Sequence, residues 1–348
     1  CLLCLLLGVS LLTACQPRMA EIALVMAEGT IDDGTINQEA WAGIAKYCEE
    51  KGISNQSFQA SENTQTARMD AVSLAVKRGA MLVVCSGASF QDTLVQAAKE
   101  FPDVTFLGLD CSIPEGSPKN AVGVTFSEVQ AGFLAGYAAV ENGWTKLGFF
   151  SEKKDSQSIL YGYGFVQGAQ AYAKAKEMPA QSVEIRYAYA DKPGNTPENQ
   201  AVAKEWFQNG AEAIFTIGYE LTNGVIAAAE EFGKQVIGAD VNWSDASQNV
   251  AISAVKHYSQ AVQDLIDLSY NEELTGGSTV QRTAAENGIA LTMDDSHLKN
   301  FTRKSYDNLV IALADDVSGM AADLVNTPAE DGSIGASGIV LSEVKVIE

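Results

Sequence analysis

Short, continuous apolar runs alternate along this chain with longer stretches whose apolar residues recur at helical spacing. The runs at 22–27, 81–85, 104–110, 120–126, 147–150, 183–190, 213–218, 235–240 and 250–255 read as strands. Runs of that kind suit strands buried on both faces. The segments 37–51, 64–78, 90–100, 131–139, 163–176, 197–208 and 221–232 read as helices. Ala40, Ile44 and Tyr47 share one face of the first; Ala67, Ala71, Leu74 and Ala75 share one face of the second, which Gly79 ends. Strands alternating with helices predict the α/β class, with parallel sheets covered on both sides. About nine or ten strands exceed what one compact core usually carries, so the pattern predicts two doubly wound parallel-sheet lobes.

The first stretch is different. Residues 1–14 are almost wholly apolar but too short to span a bilayer as a helix, and they end in Leu12-Thr13-Ala14-Cys15. Small residues before a cysteine, directly after an apolar segment, resemble a bacterial lipobox. That resemblance implies a signal peptide at 1–14 and a lipid on Cys15, anchoring the body to the extracytoplasmic face of the membrane. With no Met or basic segment ahead of it, the chain is expected to begin inside that signal. No later segment reaches the length of a membrane span.

Charge narrows the partners. The chain of 348 residues carries a net charge of -21, which argues against a basic face for nucleic acid or anionic lipid. Six cysteines reduce to Cys48, Cys85 and Cys111 in the body, an odd and scattered set that reads as buried small hydrophobes. Only His257 and His297 are present, with no Cys/His cluster, so neither a metal site nor a cofactor is expected.

Candidate chemistry gathers at predicted strand ends. Asp32 and Asp33 precede Asn37 at the start of the first helix, where acceptors and an amide suit sugar hydroxyls or the edge of a base. The plainer alternative is that Asp33 or Thr35 caps that helix. Ser86, Asp110, Thr216, Tyr219, Asp240, Trp243 and Lys256 fall at or just beyond the ends of later strands. Ligands of doubly wound folds lie outside the carboxyl ends of the strands, so these segments are expected to converge on a cleft between lobes.

Several of these segments resemble one family in the correct order. Ile31-Asp-Asp-Gly-Thr-Ile-Asn-Gln-Glu-Ala-Trp-Ala-Gly43 is similar to the opening signature of the basic membrane proteins, which include purine-nucleoside-binding lipoproteins of ABC importers. Further similarities are Gly123-Val-Thr-Phe-Ser-Glu, Gly132-Phe-Leu-Ala-Gly-Tyr-Ala-Ala139, Asn223-Gly-Val-Ile-Ala-Ala228, Val236-Ile-Gly-Ala-Asp240 and Ser253-Ala-Val-Lys256. The tail after about residue 280 carries the least. The resemblance implies a type I periplasmic-binding-protein-like fold that hinges shut on its ligand. It implies one lobe of 19–122 and 254–284 and another of 123–253 and 285–348. It also implies that Asp32 and Asn37 address a base while Asp110, Asp240 and Lys256 address ribose hydroxyls. Expected partners are a nucleoside, a permease–ATPase complex and the membrane through the lipid, with the body a monomer.

Three departures bear on the ligand. Ile36 stands where the family has Phe before Asn-Gln, Ser151-Glu-Lys-Lys154 replaces a Gly-Gly, and Gly218-Tyr-Glu-Leu-Thr222 replaces a glycine-rich turn. Stacking on a base would then fall to Tyr219, Trp243, Trp41 or Phe90. An enzyme is disfavoured, because no Gly-x-Ser-x-Gly elbow or phosphate loop is present and no calcium cluster assembles at local spacing. A sensor or partner-binding lipoprotein would share the same cleft, as would a receptor for a different small molecule.

Overall fold

The computed structural model describes residues 20–348, so the signal peptide expected at 1–14 and the expected lipid site Cys15 lie outside the described residues. The apolar runs form two sheets. The first has the order β11 (Ser278–Arg282), β5 (Ala121–Phe126), β4 (Thr105–Leu109), β3 (Leu82–Ser86), β1 (Ile22–Met26) and β2 (Asn55–Gln59). All of its pairings are parallel. The second has the order β12 (Ile289–Leu291), β10 (Val250–Lys256), β9 (Gln235–Asp240), β8 (Ala213–Ile217), β6 (Lys146–Ser151), β7 (Val183–Tyr189) and β13 (Val344–Ile347). Only its β10–β12 pair is antiparallel.

Helices α1 (Ile36–Lys51), α2 (Gln65–Lys77) and α3 (Gln91–Glu100) connect strands of the first sheet. Helices α4 (Glu128–Glu141), α5 (Ser156–Ala175), α6 (Pro197–Gln208) and α7 (Tyr219–Phe232) serve the second. Helix α8 (Tyr258–Tyr270) returns to the first sheet, where it packs on α1 and β4. Helix α9 (Arg303–Ala314) lies against α4. Among the described residues no helix is long and apolar enough to cross a membrane.

The chain passes between sheets after β5, after β10 and after β11. These passages are tied together: the Ser127 N–H donates to the Arg282 carbonyl at 2.9 Å, and the His257 N–H donates to the Gly288 carbonyl at 2.9 Å. The sequence-based divisions at 122/123 and 253/254 fall inside β5 and β10. Each strand stays whole within one sheet, because splitting it would orphan buried backbone groups.

Several elements went unread in the sequence. β2 is Asn-Gln-Ser-Phe-Gln, a polar edge strand with only Phe58 buried. α8 did carry a signal, since Tyr258, Ala261, Val262, Leu265 and Ile266 recur at helical spacing and are all buried. α5 begins at Ser156, capped by Asp155 Oδ1 accepting from the Ser158 N–H at 2.9 Å, well before the expected start at 163.

Helices α4 and α5 make the tightest contact in the fold. A Cβ added at Gly132 or Gly136 would enter the carbonyl oxygen of Tyr161 or Phe165; one added at Gly164 or Gly168 would enter that of Val129 or Phe133. These reciprocal glycines let the two backbones touch, so the pair behaves as one rigid block beneath the second sheet. Gly136→Ala must push the helices apart and should destabilise the protein by about 1–3 kcal/mol, the scale of overpacking a dense core. Denaturant unfolding of wild type and variant checks this; coincident curves would contradict it.

Candidate functional site

Two strands of different sheets end in the same unusual way. Asp110 follows β4 with φ of 54°, and Asp240 closes β9 with φ of 66°. This left-handed conformation is uncommon outside glycine, though Asp tolerates it better than most residues. In each case the kink turns a carboxylate out of its sheet toward the space between the lobes. Lys256, the last residue of β10, meets both of them.

The Lys256 Nζ lies 3.1 Å from both Asp110 oxygens, 3.2 Å from Asp240 Oδ1 and 2.9 Å from Glu128 Oε1. The last is a close ion-pair contact rather than an aligned hydrogen bond. The rings of Phe126, Tyr161 and Tyr258 stand 5.9, 5.5 and 6.0 Å from the same ammonium. The Tyr161 hydroxyl donates to Asp240 at 2.9 Å and the Tyr258 hydroxyl donates to Asp110 at 3.2 Å. Gln157 of α5 donates its amide to Asp110 Oδ1 at 3.1 Å, a bond from one lobe to the other.

Burial and pairing act against each other here. The Lys256 side chain is 1% exposed. Burial alone would lower its affinity for a proton, but the carboxylates of Asp110 and Glu128 outweigh that and hold it well above the usual lysine range. Burial raises Asp110, with Lys256 opposing. Burial also raises Glu128, to about 7, again against the pull of Lys256. One ammonium therefore serves three carboxylates in a dry setting, leaving an acceptor-rich cluster. Asp240 is its open face: its side chain is 36% exposed, against 13% for Asp110.

A cavity of about 250 Å³ opens from Asp240 across Tyr161, Gln157, Glu152 and Gly218 to Tyr219. Tyr219 begins α7, is 41% exposed, and packs its ring 5.0 Å from that of Trp243. A Cβ added at Gly34 would stand 3.6 Å from the Tyr219 hydroxyl, so the turn after β1 reaches across to the second lobe. A separate cavity of about 360 Å³ lies between α1, α8 and the 241–242 turn and also reaches Lys256.

The other expected site residues fall into place unevenly. Asp32 is exposed on the turn after β1 and accepts from the Thr30 hydroxyl at 2.6 Å. Asn37 is buried, and its amide nitrogen donates to the Glu28 carbonyl at 3.0 Å and to Asp33 at 2.8 Å. Both of its N–H groups thus hold the turn. Asp33 is the turn's organiser: it accepts from the Thr30 N–H, the Thr35 N–H and hydroxyl, and Asn37. Those bonds outweigh burial and hold its carboxyl below the usual range. Thr35, not Asp33, caps α1.

Ser86 ends β3 as a buried hydroxyl without a hydrogen-bond partner. Phe90 is fully buried in the core formed with α2 and α3, with the Arg68 guanidinium over its ring, so it is not free to stack on a ligand. Trp243 is also buried; its indole N–H donates to the Ala239 carbonyl at 3.0 Å and its ring covers Gly238. Trp41 packs partly buried against the core. Of the aromatic candidates, Tyr219 is the one presented to the cavity.

Sequence reading missed Glu128, Gln157, Tyr161 and Tyr258. Glu128 had a signal, since it is the sole acid before a run of small and apolar residues that are nearly all buried. A carboxylate heading such a helix needs a partner. The tyrosines and Gln157 have none, because only the fold brings α5 and α8 to one point.

The family model described as ABC transporter substrate-binding protein PnrA-like matches residues 20–314. The ABC transporter nucleoside-binding protein BmpA of Lactococcus lactis subsp. cremoris is 23% identical over 313 residues, 83% of this chain and 86% of that protein. Basic membrane protein D of Borreliella burgdorferi is 26% identical over 290 residues, 81% and 82% of the two chains. A solute-binding protein of an ABC transporter system from Conexibacter woesei superposes with a TM-score of 0.69 at 19% identity, covering 86% of this chain and 96% of its own. The fold is that of type I periplasmic-binding-protein-like solute-binding proteins. Such proteins are the extracytoplasmic, membrane-associated components that bring a small molecule to a permease and its ATPase. By the match over most of its length, this chain belongs to the PnrA-like family of ABC transporter substrate-binding proteins, the basic membrane proteins.

Proposed function

We propose that this protein is the surface lipoprotein receptor of an importer, a monomer anchored through Cys15, and that it closes on a purine nucleoside between its lobes. The observation that carries this reading is the cluster of Asp110, Asp240 and Glu128 around Lys256 at the floor of the cleft. Vicinal hydroxyls donate; carboxylates accept. A ribose 2′,3′-diol entering from the cavity would meet Asp240 first, then displace the Gln157 amide from Asp110. Tyr219 at the other end of the cavity supplies a ring face for a base. The nucleoside-binding description of the Lactococcus relative points the same way.

Closure follows the same contacts. Asp110 belongs to the first sheet and Asp240 to the second, so a diol bonded to both favours the closed arrangement by the free energy of those bonds. The crossings after Phe126, Lys256 and Arg282 serve as the hinge, and the lobes move about them as units. The closed form is the one the permease reads.

Calorimetric titration of the body from Gln16 onward, with inosine, guanosine, free bases and free ribose, tests this reading. Nucleosides should bind and free bases should not. Asp110→Ala and Asp240→Ala should each weaken binding by about 1.5–3 kcal/mol, the scale of hydrogen bonds to charged groups. No heat from any nucleoside, or wild-type affinity in both variants, would overturn it.

The cluster also links stability to pH. Burial holds the Glu128 carboxyl at about 7 rather than 4.5. Between those values the folded chain keeps a proton that the unfolded chain releases, so this contribution is lost as pH rises through that window. Glu128→Gln cannot lose it. Wild-type stability relative to the variant should fall by about 3 kcal/mol between pH 4.5 and 7.5. Urea unfolding at both pH values measures the difference, and parallel behaviour would contradict it.

A further inference from the structure

Glu152 is a charged group in the cavity that the ribose contacts leave unused. It follows β6, and its N–H donates to the Ile217 carbonyl at 2.8 Å, which fixes its backbone beside the start of α7. Its side chain lies across Gly218: a Cβ added there would stand 2.4 Å from the Glu152 Cβ and 3.1 Å from its carboxyl carbon. Gly218 has φ of 112°, and α7 begins there with no side-chain cap. The carboxylate is half-buried and lines the same cavity as Tyr219 and Asp240.

No basic side chain lies within ion-pair distance of Glu152 among the described residues. The Gly194 backbone donates to it, with Lys153 nearby and Glu220 opposing. Burial is the largest influence on its proton affinity and raises it, the mark of a carboxylate whose charge is incompletely compensated. Beside it, the first N–H groups of α7 have no intrahelical acceptor and no side-chain cap, and Gly218 and Tyr219, at the start of that helix, border the cavity. An anionic acceptor, helix-terminal donors and an exposed ring thus share one wall.

This wall complements one edge of one class of base. A 6-oxopurine with a 2-amino group presents two adjacent donors, N1–H and the amino group, next to a carbonyl acceptor. The two donors match a carboxylate, and the carbonyl matches helix-terminal N–H groups. Inosine has the carbonyl and N1–H but lacks the amino group; adenosine has an acceptor at N1 facing the carboxylate. We infer that Glu152 reads the base and selects a 2-amino-6-oxopurine nucleoside, with Tyr219 as its stacking platform. This inference rests on the nucleoside reading of the cleft and specifies which nucleoside.

The test compares guanosine with inosine by calorimetry on the body from Gln16 onward, in wild type and Glu152→Gln. Wild type should bind guanosine at least about tenfold more tightly than inosine, since a site built for a donor rejects the analogue lacking it. Glu152→Gln keeps the size but offers a single acceptor oxygen, so the guanosine-to-inosine ratio should collapse to within about threefold. Equal melting temperatures of the two proteins, without ligand, verify that the substitution leaves the fold intact. Binding of both nucleosides with the same ratio in both proteins overturns the role of Glu152 and leaves the nucleoside reading standing. Absence of binding to either nucleoside by wild type overturns both.

Discussion

The ammonium of Lys256 sits where the two lobes meet, and the architecture around it is arranged to make its burial tolerable. Removing a lysine from water costs several kcal/mol unless paired charges and hydrogen bonds compensate. Here Asp110 comes from one sheet, Asp240 and Glu128 from the elements of the other, and Phe126, Tyr161 and Tyr258 close the remaining sides. Lys256 and Glu128 each lie within a residue or two of a crossing between sheets. The ion cluster therefore sits beside the crossings between the two sheets, the place where the proposed closure would turn.

Supporting structure explains how such a cluster stays ordered. The glycine-mediated contact of α4 with α5 holds Glu128, Gln157 and Tyr161 in one rigid unit. The left-handed kinks at Asp110 and Asp240 aim both carboxylates at one point instead of along their strands. Three carboxyl groups facing one lysine make the cluster rich in acceptors, which on the proposed reading suits a hydroxyl-bearing ligand. On that reading a neutral nucleoside would satisfy these acceptors without adding a charge to a desolvated site.

Much of this was legible in the residues. Continuous apolar runs such as 81–85 and 213–218 had to be strands buried on both faces, and their alternation with helices led to the sheets. That Asp110, Asp240 and Lys256 meet was readable from their places at strand ends, where such folds gather polar groups. What escaped had physical reasons. β2 is a polar edge strand, and edge strands need no apolar alternation. Phe90 stands near a strand end yet is absorbed by the core, and the amide N–H groups of Asn37 hold its own turn. Tyr161, Tyr258 and Gln157 reach the site only through tertiary packing, which local spacing does not encode.

On the proposed reading, the Lys256 cluster couples ligand binding to closure of the lobes. Small-angle X-ray scattering of wild type and Lys256→Met, each with and without saturating guanosine, tests it most directly. Wild type should contract on adding the nucleoside, whereas Lys256→Met should keep its unliganded dimensions. Equal contraction of the two proteins would contradict it.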